Sequence, residues 1–259
     1  MADKPDAALS IPGLPEIVRK IRTRTPARLL VGRAGAAYRT GTQLDLREAH
    51  AAARDAVRAE LDLEKAFGKA FMQSWELFEV RTKARLKDEY LLRPDLGRHF
   101  DDHSRERIES RCSCNNDLQI AIGDGLSVPA IAAQVPRLLP LLCDGAKERH
   151  WTMGRTFAIH HCRVGILNEI GELLKPRVAV LLIGERPGLT TAESLSCYMA
   201  HRPSSSHTDA NRNVISNIYA RGLNPQEAST RILNFAAQMM KMGTSGYLLN
   251  EELPALEGP

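Results

Sequence analysis

Glu185 and Arg186 are the residues best placed in this chain to do chemistry. They sit in the loop Gly184-Glu185-Arg186-Pro187-Gly188, directly after a continuous apolar run from Val178 to Ile183. That run is too short to span a membrane and β-branched enough for a strand buried on both faces. Ligands of open α/β sheets gather at the carboxyl ends of the strands, so this loop presents a hydrogen-bond acceptor and a donor where a bound molecule would lie. Two more loops point the same way: Gly123-Asp124-Gly125-Leu126-Ser127 and His160 through Val164, each after a short apolar segment. Asp124 could accept hydrogen bonds from amide or hydroxyl groups of a large ligand, or it could cap its own turn. The sequence leaves both open.

Other constellations carry less. His160-His161-Cys162 contains metal-ligating types, but neighbours on a strand point to opposite faces and cannot share one ion, so no metal site is expected. Cys197 lies inside an apolar run and reads as a small core residue, not a nucleophile. Gly32-x-x-Gly35 lacks the other glycines of a dinucleotide fingerprint and the Lys-Ser/Thr of a P-loop. His50 falls near the apolar stripe of a helix and reads as a buried, hydrogen-bonded histidine. Nowhere does spacing supply a nucleophile with its base, so no catalytic residue is assigned.

The elements that would position these loops follow from periodicity. The chain divides into a loosely held leader (1–26), a mainly helical part (27–111) and an alternating strand and helix part (112–259). In the leader, Ile17, Val18 and Ile21 oppose Arg19, Lys20 and Arg22 in a short amphipathic patch. A capping pattern, Thr42-x-x-Asp45, introduces a helix to about Asp62 with Leu46, Ala49, Ala53, Ala56 and Val57 near one face. Leu63 to Val80 reads as a second helix passing into an extended segment, Tyr90 to Arg98 as a tight polar turn, and Asp101 to Arg111 as helical. Strands are expected at Leu118–Ile122, Thr156–His160, Val178–Ile183, Ser194–Ala200 and Asn213–Ile218. Helices are expected from Ser127 through Leu142, kinked or broken at Pro136 and Pro140, and from Val164 to Leu174. The last helix is the best signed: Asn224 caps it, Pro225 takes the first helical position, Glu227 completes a capping box, and Gly243 ends it. This alternation predicts an α/β fold with a Rossmann-like C-terminal domain behind a mainly helical N-terminal domain.

Composition narrows the function classes. With 43% hydrophobic and 25% charged residues, the 259-residue chain is that of a globular protein, not a disordered one. A net charge of +4 from scattered arginines does not point to nucleic acid, and no run approaches the roughly 18 apolar residues of a membrane helix. Five cysteines without CxxC spacing suggest neither a disulfide framework nor a zinc ribbon, and fit a reducing, cytoplasmic setting.

GERPGLTTAESLSCY, followed by VISNI at Val214 to Ile218 and NPQEA at Asn224 to Ala228, closely resembles the small (light) subunit family of ethanolamine ammonia-lyase. GRAGAAYRT at Gly32 to Thr40, LRPDLGR at Leu92 to Arg98 and GDGLS at Gly123 to Ser127 resemble it in the same order, so the likeness runs from about Ala27 to about Leu249. The resemblance implies an adenosylcobalamin-dependent lyase that converts ethanolamine to acetaldehyde and ammonia through a radical begun by cobalt–carbon homolysis. It implies a hetero-oligomer in which a TIM-barrel large subunit carries the substrate site and the small subunit closes over the other side of the cobalamin. By position in matching motifs, the cobalamin contacts fall on Val164, Glu185 and Val214. Val214 departs from relatives with cysteine there, so its contact would run through backbone or methyl groups. The family's cobalamin keeps its own base on cobalt, which agrees with Asp101-x-His103 failing as a cobalt-ligating DxHxxG motif for want of glycine at Glu106. Some members carry a longer leader that addresses them to a bacterial microcompartment; here the leader before Ala27 is short, which leaves that targeting open. The alternative from another class is a stand-alone cobalamin- or nucleotide-binding module with a regulatory or cofactor-handling role, for which the helical first half would be superfluous.

Overall fold

The computed structural model describes residues 15–25 and 29–249. Of the expected leader, residues 1–14 and 26 lie outside the described residues. A two-residue ribbon, β1 (Arg33–Ala34) and β2 (Ala37–Tyr38), turns at Gly35, whose φ of +63° is the left-handed conformation that glycine adopts without steric cost. The remaining strands form one sheet. They are β3 (Phe78–Arg81), β4 (Leu118–Gly123), β5 (Phe157–His160), β6 (Val178–Gly184), β7 (Leu195–His201) and β8 (Asn213–Ile218), in the order β3-β5-β4-β6-β7-β8. The first four run parallel, while β7 and β8 are antiparallel to their neighbours. The fold is therefore mixed α/β with a mostly parallel sheet, as the alternating pattern predicts. β3 comes from the mainly helical part, yet it pairs along its whole length with β5.

Helices cover both faces. The helices are α1 (Glu16–Thr23), α2 (Thr40–Arg58), α3 (Leu63–Phe67), α4 (Lys69–Ser74), α5 (Lys87–Leu92), α6 (Asp102–Arg111), α7 (Val128–Glu148), α8 (Ile166–Leu174) and α9 (Pro225–Met242). On one face, α7 and α9 bury Ile131, Leu138, Leu142, Ile232 and Met239 against Ile120, Val180 and Cys197. On the other, α6 and α8 bury Ile108, Ile166 and Ile170 against Phe157, Ile159, Leu181 and Ile183. The residues of β4, β5 and β6 divide between these layers by alternation, as the period of two in a strand requires. Both faces of β4 and β6 are thus covered, and every residue of each is buried.

Several local expectations change. The helix expected to break at Pro136 and Pro140 runs through both as α7. Each interior proline forfeits one hydrogen bond at a cost of about 3 kcal/mol, but the fully buried stripe Ile131, Val135, Leu138, Leu139, Leu142 holds the helix together. Helix α2 starts at Thr40 with Arg39 as its N-cap, so Thr42 caps nothing; its buried residues are Ala53 and Ala56, and His50 is exposed, against the reading of it as buried. Gly68, at φ +78°, divides the expected Leu63 helix into α3 and α4. Tyr90 to Leu92 close helix α5, and the turn itself is a 3₁₀ segment at Leu96–Arg98. In the leader patch, Arg22 is buried with its guanidinium on the carbonyls of Leu29 and Leu30, while Ile17 is exposed. Helix α9 keeps its cap, first proline and terminal glycine, with Asn224 accepting from the Glu227 amide and Gly243 closing the helix at φ +67°, but of the expected capping box only the Asn224 half is made among the described residues.

Candidate functional site

The three loops singled out in the sequence meet. Asp124 lies at their junction, where its carboxylate accepts from the amides of His161 at 2.9 Å and Cys162 at 2.8 Å. The Leu126 amide donates to the Gly184 carbonyl at 3.0 Å. Gly184 is required here, since a Cβ would stand 2.1 Å from the Ser127 carbonyl and 2.7 Å from that of Asp124. Asp124 is wholly buried, with the Lys87 ammonium 3.8 Å away, so its carboxylate ties one loop to the next and is not presented to a ligand. Of the two roles its sequence context left open, ligand contact and a cap on its own turn, it fills neither: the carboxylate reaches across to the loop after β5.

The histidines behind this junction are also engaged. His160 Nε2 lies 3.0 Å from Glu79, and His161 places one ring nitrogen 2.9 Å from the Ala84 carbonyl and the other 3.1 Å from Glu60. The His161 ring stacks on Tyr90, whose hydroxyl donates to the Cys162 carbonyl. Cys197 is buried on the α7 and α9 face, and burial pushes its thiol far above the usual range, the opposite of what a nucleophile needs.

Built on this junction is a surface. Glu185 leaves the end of β6 with its amide on the Ser194 carbonyl, and one carboxylate oxygen accepts a short hydrogen bond from the Ser196 hydroxyl. The other oxygen has no partner among the described residues. Ile183 is in register with Ser196, Leu181 with Tyr198, and Tyr198 with Val214. Because cross-strand partners share a face, Ser196, Tyr198 and Val214 continue the α8 side of the sheet beyond the helix that covers Leu181 and Ile183. Val214 is 48% exposed there. Val164 packs on the same layer from the turn that leads into α8. The three residues chosen as cofactor contacts therefore border one side of the sheet.

Sequence reasoning passed over the residues between them. Ser196 and Tyr198 alternate with Leu195, Cys197 and Met199, the polar and apolar alternation of a strand with one face less covered than the other. The register slips between Leu195 and Cys197, setting two residues, Ser216 and Asn217, opposite the single Ser196, with Asn217 in the left-handed region at φ +59°. Both residues line a cleft of about 450 Å³ together with Glu185, Arg186, Ser194 and Tyr219, and Thr25 from beyond α1 reaches its edge. Burial, with the charges of Glu185 and Asp209, holds the Tyr198 phenol above its ordinary pKa, against the opposing pull of Arg212.

Comparison with known proteins gives the family. A family model described as ethanolamine ammonia-lyase light chain (EutC) matches residues 15–250. The ethanolamine ammonia-lyase small subunit of Clostridium perfringens is 40% identical over 231 residues, 89% of this chain and 76% of the relative. The small subunit of Listeria monocytogenes serovar 1/2a is 41% identical over 227 residues, 88% of this chain and 75% of its own. That of Fusobacterium nucleatum is 38% identical over 227 residues, with the same coverage. The chain belongs to the ethanolamine ammonia-lyase light chain family.

Proposed function

We propose that this chain is the cofactor-clamping small subunit of an adenosylcobalamin-dependent ethanolamine ammonia-lyase, working only with a large subunit that holds the substrate. The observation that carries the reading is the side of the sheet at β7 and β8, bordered by Val164, Glu185 and Val214. A corrin is a broad, nearly flat ring with amide side chains at its edge. The exposed methyl groups of Val214 and the half-buried ring of Tyr198 suit the ring, and the unpartnered oxygen of Glu185 suits an edge amide. Val164 would add apolar contact from beside α8. The residues present thus fit the group.

When bound, the cofactor supplies the radical chemistry. This chain's own residues bind, orient and exclude water. Ser196 holds the Glu185 carboxylate in one orientation, and the Asp124 junction fixes the loop that carries it. Residues 112–259 act as the Rossmann-like cobalamin-contacting unit and 27–111 as a helical domain that lends β3 to its sheet. No helix among the described residues is long and apolar enough to cross a membrane. We place the working enzyme in the cytoplasm or within a microcompartment.

The test is ammonia release from ethanolamine with adenosylcobalamin, using this chain alone, its large partner alone and the two together. Activity is expected only in the mixture. Glu185→Ala should weaken cobalamin binding by about tenfold, the worth of one hydrogen bond to a charged acceptor, and lower activity in parallel. A mixture without activity, from a chain that still binds cobalamin, would sink the reading.

A further inference from the structure

A second cleft, of about 420 Å³, opens between α8 and the segment that joins β7 to β8. Arg98, His207 and Arg212 line it, with Asn168 and Gly165 from α8 and its entry. The Arg212 side chain is 5% exposed, and its two terminal nitrogens are spoken for: one by Asp209, the other by Asn168 at 2.9 Å. Its Nε is buried with no hydrogen-bond partner among the described residues, and so is Nδ1 of His207. A buried donor without an acceptor is costly to keep and calls for an explanation.

Three guanidinium groups and three carboxylates line the cleft, so what could fill it depends on which of them are already paired. Glu169 is consumed by Arg105, the Phe100 amide and His99, and Glu172 accepts from the Ser205 amide. Asp209 is consumed by Arg212. Arg98 has no acceptor among the described residues, and its positive charge lies near enough to Arg212 to help depress the pKa of that guanidinium. Asp209 already joins Arg212, so an added anion would serve the Arg98 guanidinium first. Gly165 permits the arrangement, because a Cβ there would stand 2.9 Å from the Arg98 Cγ.

We propose that this cleft binds a phosphate-type oxyanion, with Arg98 and Arg212 as its cationic wall and His207 beside them. Guanidinium groups match the tetrahedral oxyanion in geometry and charge. The anion has two sources: free phosphate, or the phosphodiester in the nucleotide tail of cobalamin itself. The second source rests on the cobalamin reading; the first does not.

The test uses the full chain, with Arg98→Ala and Arg98→Lys compared by circular dichroism to verify folding. In one arm, inorganic phosphate is titrated calorimetrically. In the other, with the large subunit present, affinity for adenosylcobalamin is compared with that for cobinamide, which lacks the nucleotide tail. Arg98→Ala should weaken phosphate about tenfold or more, with Arg98→Lys recovering part of the loss. A cobalamin-to-cobinamide preference that also falls in Arg98→Ala identifies the cofactor tail as the occupant; an unchanged preference identifies free phosphate. If neither arm responds to Arg98→Ala, the proposal is overturned. A chain that fails to bind any corrinoid still answers through the phosphate arm, so the two readings fail separately.

Discussion

The two halves of the sheet are built from similar residues and do different work. In β4 and β6 every position is buried, and α7 covers one face while α8 covers the other. In β7 and β8 one layer is equally closed, by α9, but Tyr198 on the other is half-buried and Val214 half-exposed. Parallel strands need crossover helices, and those helices bury both faces; an antiparallel pair closes by a loop and obliges nothing to cover its second face. The place where the sheet changes direction is thus where it can offer a surface.

That contrast can be tested along the junction and along one row of cross-strand neighbours. The largest effect is expected in the closed half at Asp124→Ala, which orphans the His161 and Cys162 amides and leaves the Lys87 ammonium buried without its counter-charge. A loss of about 3–5 kcal/mol should appear in urea unfolding. Leu181→Ala, fully buried in the layer under α8, should cost about 3 kcal/mol. Its register partner Tyr198 should cost less on truncation to alanine, about 1–2 kcal/mol, because it is only partly covered. Last in the row, Val214→Ala should fall within about 0.5 kcal/mol, while weakening cobalamin binding in the mixture with the large subunit. Equal losses at all three positions would mean that the second face is closed, and the comparison would fail.

Tyr198 also gives a pH test. Its folded pKa is raised, first by burial and then by Glu185, so the folded state disfavours the phenolate. The resulting stability is present below the unfolded value near 10 and is lost as pH rises towards the folded one. Tyr198→Phe should flatten the alkaline fall in stability measured by urea unfolding between about pH 9 and 11. An unchanged slope would show that the phenol sits in water in both states.

Much of this was legible locally. The buried run Val178–Ile183, the bounds of β8 and the cap, first proline and terminal glycine of α9 follow from side-chain type over a few residues. So did the choice of the three loops, since glycine and polar residues after apolar runs mark strand ends. What local signals missed depended on distant partners. The prolines of α7 predict a break that the packed stripe overrides. His50 sits beside the helix stripe, and only the docking of α2 decides that it faces water. Arg98 and Arg212 are far apart in sequence, and no spacing rule brings them to one cleft.

Residue type and short-range order settled the strands and helices, the apolar layers and the polar loops, because those follow from backbone preference and the period of each element. Long-range packing settled the rest: that β7 returns antiparallel, that Asp124 serves the fold while Glu185 keeps one oxygen without a partner among the described residues, and that Val214 is half-exposed. Burial and hydrogen bonding between distant segments are properties of the assembled chain, and a carboxylate becomes a tie or a contact according to which amides reach it first.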